Sequence, residues 1–169
     1  MSDLQEIYQL YADDVKRFLI CLTANPELSE ELTQETFYQA VKSIHRYNGK
    51  CKMSVWLCQI AKHLYYDYLK KSKHYQSVNF DNMINEINHD TDESTESQAE
   101  KRAEIITLYK QINALNSPYC EVFLLRTSAD LSYHDIGEIF DKNENWARVT
   151  YYRAKIKLME RIETNEDNL

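Results

Sequence analysis

A chain of 169 residues, 43% hydrophobic and 12% aromatic, can bury one core or two small ones and is too rich in aliphatic and tyrosine side chains to be disordered throughout. Its two glycines and two prolines leave no material for Gly-rich phosphate loops or a serine-hydrolase elbow, and they point to an all-α fold. The net charge of -7 argues against nucleic acid only as a sum, because residues 41–74 carry a net +7 between acidic blocks at 1–40 and 75–100.

In chain order, Ser2 and Gln5 form a capping box, and Leu4, Ile7, Tyr11, Val15, Phe18 and Leu22 follow at helical steps. Asn25 then caps a second helix with Pro26 in its first position, where the missing amide is no loss. Leu28, Leu32, Phe37, Val41 and Ile44 form its apolar stripe, and it ends near Arg46 ahead of Asn48 and Gly49. A third helix starts around Ser54 with Trp56, Ile60, Leu64 and Leu69, and closes on Lys70, Lys71 and Lys73. These three helices, residues 1–74, make a first domain.

Residues 75–98 thin in apolar content and have no amphipathic period, so they read as a flexible acidic linker. Residues 99–169 make a second domain of four helices. Ile105, Leu108, Tyr109 and Ile112 mark the first of these. Ser117 and Pro118 cap and open the next, which carries Val122, Phe123 and Leu125.

The stretch LSYHDIGEIFDKNENWARVTYYRAKIKL then reads as two short helices joined by a polar turn at Asp141, Lys142 and Asn143, the arrangement of a helix-turn-helix. Ser132 caps the first helix, Asp135 reaches back to its free amides, and Ile136, Ile139 and Phe140 form its stripe. Gly137 is best explained by a second helix packed too closely to admit a methyl group, the alternative being a loosely packed surface glycine. The last helix divides by face. Ala147, Tyr151, Ala154 and Leu158 pack, while Asn145, Arg148, Val149, Tyr152, Arg153 and Lys155 face outward with the chemistry to read base edges and grip phosphates. Taken alone, the pair is equally compatible with a solvated basic face.

The segment RYNGKCKMSVWLCQIAKHLYYDYLKKSKH interleaves cations and aromatics, as a surface for unpaired DNA does. Lys50, Lys52, Lys62, Lys70, Lys71 and Lys73 can neutralise phosphates, and Tyr47, Trp56, Tyr65, Tyr66 and Tyr68 offer rings for stacking. Trp56 and Tyr68 taken singly read better as core. Cys21, Cys51, Cys58 and Cys120 lack CxxC pairing and read as free, buried thiols. His63 with Asp67, and His134 with Glu138, are spaced four apart, but two ligands do not make a metal site, so no metal or cofactor is expected. No nucleophile or acid–base pair emerges, so no enzymatic activity is expected. With no apolar run of membrane length and no apolar leader behind Met1, the expected compartment is the cytoplasm.

With both halves read, the chain resembles the extracytoplasmic-function group of sigma factors of bacterial RNA polymerase, and the resemblance covers nearly the whole length. ELTQETFYQAVKSIHRYNG resembles the polymerase-binding helix of the family's first conserved domain (region 2), and SVWLCQIAKHLYYDYLKK its promoter-melting helix. PYCEVFLLRTSADLSYHDIGEIF with WARVTYYRAKIKL resembles its second domain, region 4. The resemblance implies capture of unpaired minus-ten bases by the first domain, reading of the minus-thirty-five duplex by the second, and a linker running through polymerase. Carried over by position, Glu31, Gln34 and Glu35 look like the polymerase-contacting face. Asn48, Lys50 and Lys52 look like the loop that pockets a flipped base, with Trp56, His63, Asp67, Lys70 and Lys71 on the minus-ten surface. Arg148, Tyr152 and Arg153 match groove-facing positions. His63 stands where the family usually shows Asn, Asn145 replaces a common Gly, and Val149 replaces a common Ser, so base preference at both elements is expected to depart from consensus. The implied partners are RNA polymerase core, promoter DNA and an anti-sigma factor, with no small-molecule substrate. The competing reading is an autonomous helix-turn-helix regulator, which would require a dimerisation helix that the sequence does not supply.

Overall fold

The computed structural model describes residues 2–72 and 96–166, and among these residues every regular element is helical. Seven α-helices run in the order α1 (Ser2–Thr23), α2 (Pro26–Ser43), α3 (Met53–Lys71), α4 (Glu96–Asn113), α5 (Tyr119–Thr127), α6 (Tyr133–Ile139) and α7 (Glu144–Glu166), with a single 3-10 turn at Ile44–Arg46. The side chain of Ser2, and with it the expected first cap, lies outside the described residues, as does 75–95 of the expected linker. Helix α4 already starts at Glu96, three residues inside the segment expected to be linker.

The N-terminus of α2 forms as its sequence dictates. Asn25 is extended, its side chain accepts the Leu28 amide at 3.1 Å, and Pro26 opens the helix. Its buried side then departs from a purely apolar stripe. Ser29, Thr33 and Thr36 are buried, and each hydroxyl donates to the carbonyl four residues back, at 2.6–2.7 Å. That local bond satisfies the hydroxyl inside the core. Val41 and Ile44, expected on the buried stripe, are exposed instead, as are Leu69 on α3 and Ile105 and Leu108 on α4. Each continues a helical period beyond the point where a neighbouring helix covers it.

Helix α5 begins one residue later than expected. Ser117 makes no capping bond, Pro118 occupies the cap position, and the first amide, of Tyr119, is taken by the Asn116 carbonyl at 2.9 Å. A tight turn therefore does the work expected of a serine cap.

Phe18, Leu19, Val15, Val55 and Leu57 fill the interior of the first three helices, and Val122, Leu125, Ile136, Ile139, Ala147 and Ala154 fill that of the last three. These groups join into one continuous core. Helix α3 packs on α6 and α1 on α5, so the two halves touch directly instead of standing apart on a tether. A cavity of about 120 Å³ between them is lined by Phe18, Val55 and Cys58 on one side and Leu131 and Ile139 on the other.

Candidate nucleic-acid interface

The turn between α6 and α7 closes on Gly137. A Cβ there would sit 2.8 Å from the Asn143 carbonyl oxygen and 2.9 Å from that of Lys142, so the contact that demands glycine is the backbone of the turn, not the following helix. The Lys142 amide donates to the Gly137 carbonyl at 2.8 Å, and Asp141 takes the left-handed conformation that reverses the chain. Ser132 caps α6 by accepting the Asp135 amide at 3.1 Å. The Asp135 carboxylate does not reach back to the free amides. Its Oδ2 instead accepts from Lys52 Nζ at 3.2 Å, across the junction of the two halves. Asn143 caps α7 by accepting the Trp146 amide at 2.7 Å, a role its place ahead of the helix could have signalled.

On α7, Ala147, Ala154 and Leu158 are buried and Tyr151 is half-buried, stacked on Phe123 at 5.7 Å. Asn145, Arg148, Val149, Tyr152, Arg153 and Lys155 are all exposed. Arg148 is held between Glu144, at 2.7 Å, and the Tyr133 ring, at 5.3 Å, so its guanidinium is oriented before any ligand arrives. Ile156 and Met159, more than half exposed, extend the same face. Neither is among the outward residues expected from the sequence, although four- and seven-residue steps from Tyr152 put them on that face.

On α3, His63, Asp67, Lys70 and Lys71 are exposed. Trp56 is half-buried against Tyr47, with ring centres 5.2 Å apart, and the Tyr47 hydroxyl donates to the Cys51 carbonyl at 2.7 Å. That bond fastens the loop bearing Asn48, Lys50 and Lys52. Asn48 Oδ1 accepts the Lys50 amide at 3.1 Å, and Gly49 adopts a φ of 70° with open space around it, so its requirement is conformational and not steric.

Other residues of this block are placed elsewhere than expected. Lys62 is buried, not available to phosphates. Its ammonium donates to the Ile139 carbonyl and lies 4.9 Å from the Phe140 ring centre, and burial lowers its pKa, partly opposed by Asp141. Tyr65 and Tyr66 are partly buried, their phenols raised by burial and then by Glu121 on α5, Tyr65 to about 12. They turn toward the second half.

Glu31 and Gln34 are exposed on α2, and Glu35 is half-buried with its carboxylate accepting from Gln39 at 2.6 Å. Tyr38 and Val41 continue that face one and two turns on, both exposed. Cys21, Cys58 and Cys120 have pKa values pushed up to about 12, by burial above all. His134 lies 3.5 Å from Glu138, and no group of three potential metal ligands occurs among the described residues. No helix among them is long and apolar enough to cross a membrane.

Residues 7–75 match the Sigma-70 region 2 family. The ECF RNA polymerase sigma factor SigM of Bacillus subtilis is 32% identical over 155 residues, spanning 92% of each chain. The chain belongs to the extracytoplasmic-function sigma factors. A second sigma factor of Bacillus subtilis, YlaC, is 24% identical over 93% of this chain and 90% of its own. The fold is shared with the sigma factor RpoE of Bartonella quintana, solved in complex with the anti-sigma factor NepR, at a TM-score of 0.68 and 17% identity over 96% of this chain and 98% of that one. As a sigma factor the chain works in promoter-specific transcription initiation.

Proposed function

We propose that this sigma factor brings RNA polymerase core to its promoters by dividing recognition between two helices. The exposed side of α3, with Trp56, His63, Asp67, Lys70 and Lys71 and the loop of Asn48, Lys50 and Lys52, takes unpaired minus-ten bases. The outer face of α7, with Asn145, Arg148, Val149, Tyr152, Arg153 and Lys155, reads the minus-thirty-five duplex. Glu31, Gln34 and Glu35 on α2 meet the polymerase. The observation that carries this reading is the clean division of α7, buried along Ala147, Ala154 and Leu158 and exposed at all six reader positions.

Chemistry supports the assignment. Arg148 and Arg153 can pair bidentately with guanine, Asn145 with adenine, and Val149 and Tyr152 can contact a thymine methyl. Imidazole at position 63 keeps hydrogen-bonding capacity but lacks an amide's paired donor and acceptor, so the favoured minus-ten base differs from that chosen by Asn. The factor acts without catalysing a bond change, and it does so where polymerase is, in the cytoplasm. RpoE of Bartonella quintana is captured with an anti-sigma factor, and a protein of that kind is the regulator proposed here.

Run-off transcription with core polymerase tests the reading. A discrete transcript from a fragment upstream of its own gene is expected, and Arg148→Glu with Arg153→Glu should abolish it while leaving core binding intact. No transcript and no core binding would refute the assignment. An autonomous regulator would instead bind duplex tightly as a dimer without polymerase.

A further inference from the structure

The outward face of α7 carries one residue that a general DNA-binding surface does not call for. Glu144 opens the helix and is the single acid in the stretch from Glu144 to Lys155, whose outward face otherwise presents the cations Arg148, Arg153 and Lys155. It is exposed, and it falls on one stripe with Arg148, Tyr152 and Lys155 at steps of four, four and three. Its Oε1 accepts from the Arg148 guanidinium at 2.7 Å. Beside a phosphate backbone a carboxylate on such a face weakens binding, because it repels the charge that the cations attract.

Local structure does not account for this acid. The first turn is already capped by Asn143, whose Oδ1 accepts the Trp146 amide. An ion pair whose two side chains are each about half exposed, at 46% and 48%, contributes little to stability in water. A negative charge in the first turn suits the helix dipole, but that effect is weak at an exposed position and needs no arginine one turn on.

The pair fits the major-groove edge of two successive G·C pairs. In a helix-turn-helix the N-terminal residues of the recognition helix come nearest the bases. Guanine presents two acceptors there, N7 and O6, and thymine an acceptor and a methyl, whereas cytosine presents the N4 amino donor. Adenine sets a donor beside an acceptor, which suits an amide and turns N7 against a carboxylate. A carboxylate at this position is therefore matched to cytosine. Its bond engages one terminal nitrogen of Arg148, and the remaining N–H groups can still take guanine O6 and N7.

We infer that Glu144 is a specificity-determining residue of α7, accepting a hydrogen bond from the N4 amino group of a cytosine in the base pair next to the guanine read by Arg148. Weaker binding to DNA in general is the other side of the same device. A duplex with guanine or thymine at that place sets an acceptor against the carboxylate and is rejected. This assignment rests on α7 being the minus-thirty-five reader and names one base that it selects.

Transcription by reconstituted holoenzyme from promoters with randomised minus-thirty-five elements tests it, with wild type, Glu144→Ala, Glu144→Gln and Arg148→Ala in parallel. The wild-type factor should favour cytosine about tenfold at one position. Glu144→Ala should erase that preference, at unchanged helix content by circular dichroism, and bind unrelated duplex more tightly. Glu144→Gln should move the preference to adenine, which an amide reads through N6 and N7. Arg148→Ala should relax a guanine at the neighbouring position. If Glu144→Ala relaxes only the guanine that Arg148→Ala relaxes, Glu144 merely aims the arginine, and its assignment to cytosine is overturned while the reader stands. Unaltered preference in both Glu144 variants would overturn it too. Unaltered preference in Arg148→Ala as well would remove α7 as the minus-thirty-five reader.

Discussion

At Gly137 the need for glycine is set by two backbone oxygens under 3 Å from where a Cβ would stand. Backbone of a tight turn cannot swing aside as a side chain can, so Gly137→Ala should destabilise the second half by about 1–3 kcal/mol, the usual cost of overpacking. Thermal unfolding would show it as a fall of several degrees, together with weakened minus-thirty-five binding. Gly49→Ala meets open space and is strained only through its positive φ, so its cost should be smaller, about 1 kcal/mol. Equal losses at the two positions would contradict the contact at Gly137. Arg148 and Arg153 invite a different separation. Arg148 is pre-aimed by Glu144 and Tyr133, which suits base reading, and its replacement by Ala should cost about 1–3 kcal/mol on the preferred minus-thirty-five site and relax sequence preference. A purely phosphate-contacting arginine would instead lower binding to all sequences alike and reduce the salt slope by about one. Holoenzyme binding to matched and mismatched promoters across a salt series distinguishes them.

Among the elements, caps decide where helices begin, and here three candidates behave differently. Asn25 and Asn143 each accept an amide of the first turn, so replacing either by Ala should cost about 1 kcal/mol, whereas Ser117→Ala should be silent in the same denaturant titration because its hydroxyl caps nothing. A loss at Ser117 matching the other two would overturn the turn geometry seen ahead of α5. The same comparison explains what was legible in the sequence. Cap, proline and apolar period act locally, and they located every described helix to within a few residues. The faces of α7 were equally legible, because 3.6-residue spacing alone sorts Ala147 and Ala154 from Arg148 and Tyr152. What could not be read was long-range. Nothing local distinguishes Lys62 from Lys70, yet one is buried against α6 and the other is exposed, since the difference lies in a helix more than 70 residues away. Asp135 has the same history. Its spacing from Ser132 fitted a capping box, but a cation from the other half offered a better partner than backbone amides. Val41 shows the converse, an apolar residue in register that no neighbour covers.

For the molecule as a whole, the packing of its two halves sets the chemistry of its thiols. Cys21 on α1 points its Sγ at the Leu124 carbonyl of α5, 3.9 Å away, Cys120 lies near it, and Cys58 on α3 lies within the electrostatic reach of Asp135 on α6. All three thiols owe a pKa of about 12 mainly to burial, much of it at the junction between halves. The sign is that of a raised acid: at pH 8 only about one molecule in ten thousand holds each thiolate, and trapping should quicken about tenfold per pH unit up to the shifted value. If the halves part, water reaches these sulfurs and their pKa values fall toward the ordinary range near 8.5, so the rate at pH 8 should rise by orders of magnitude. Alkylation of the native chain, followed by peptide mass spectrometry, should therefore show Cys21, Cys58 and the partly buried Cys120 slow and Cys51, the least enclosed thiol of the four, reacting first. In a chain carrying Gln59→Glu and Lys62→Glu, which sets carboxylates against the Glu138 and Ile139 carbonyls of α6, Cys21 and Cys120 should join it, while Cys58, beside Phe18 on the α1 side, should lag. Equal protection of Cys21 and Cys120 in both chains would mean that the halves stay together without the polar contacts of α6, held instead by the continuous apolar core.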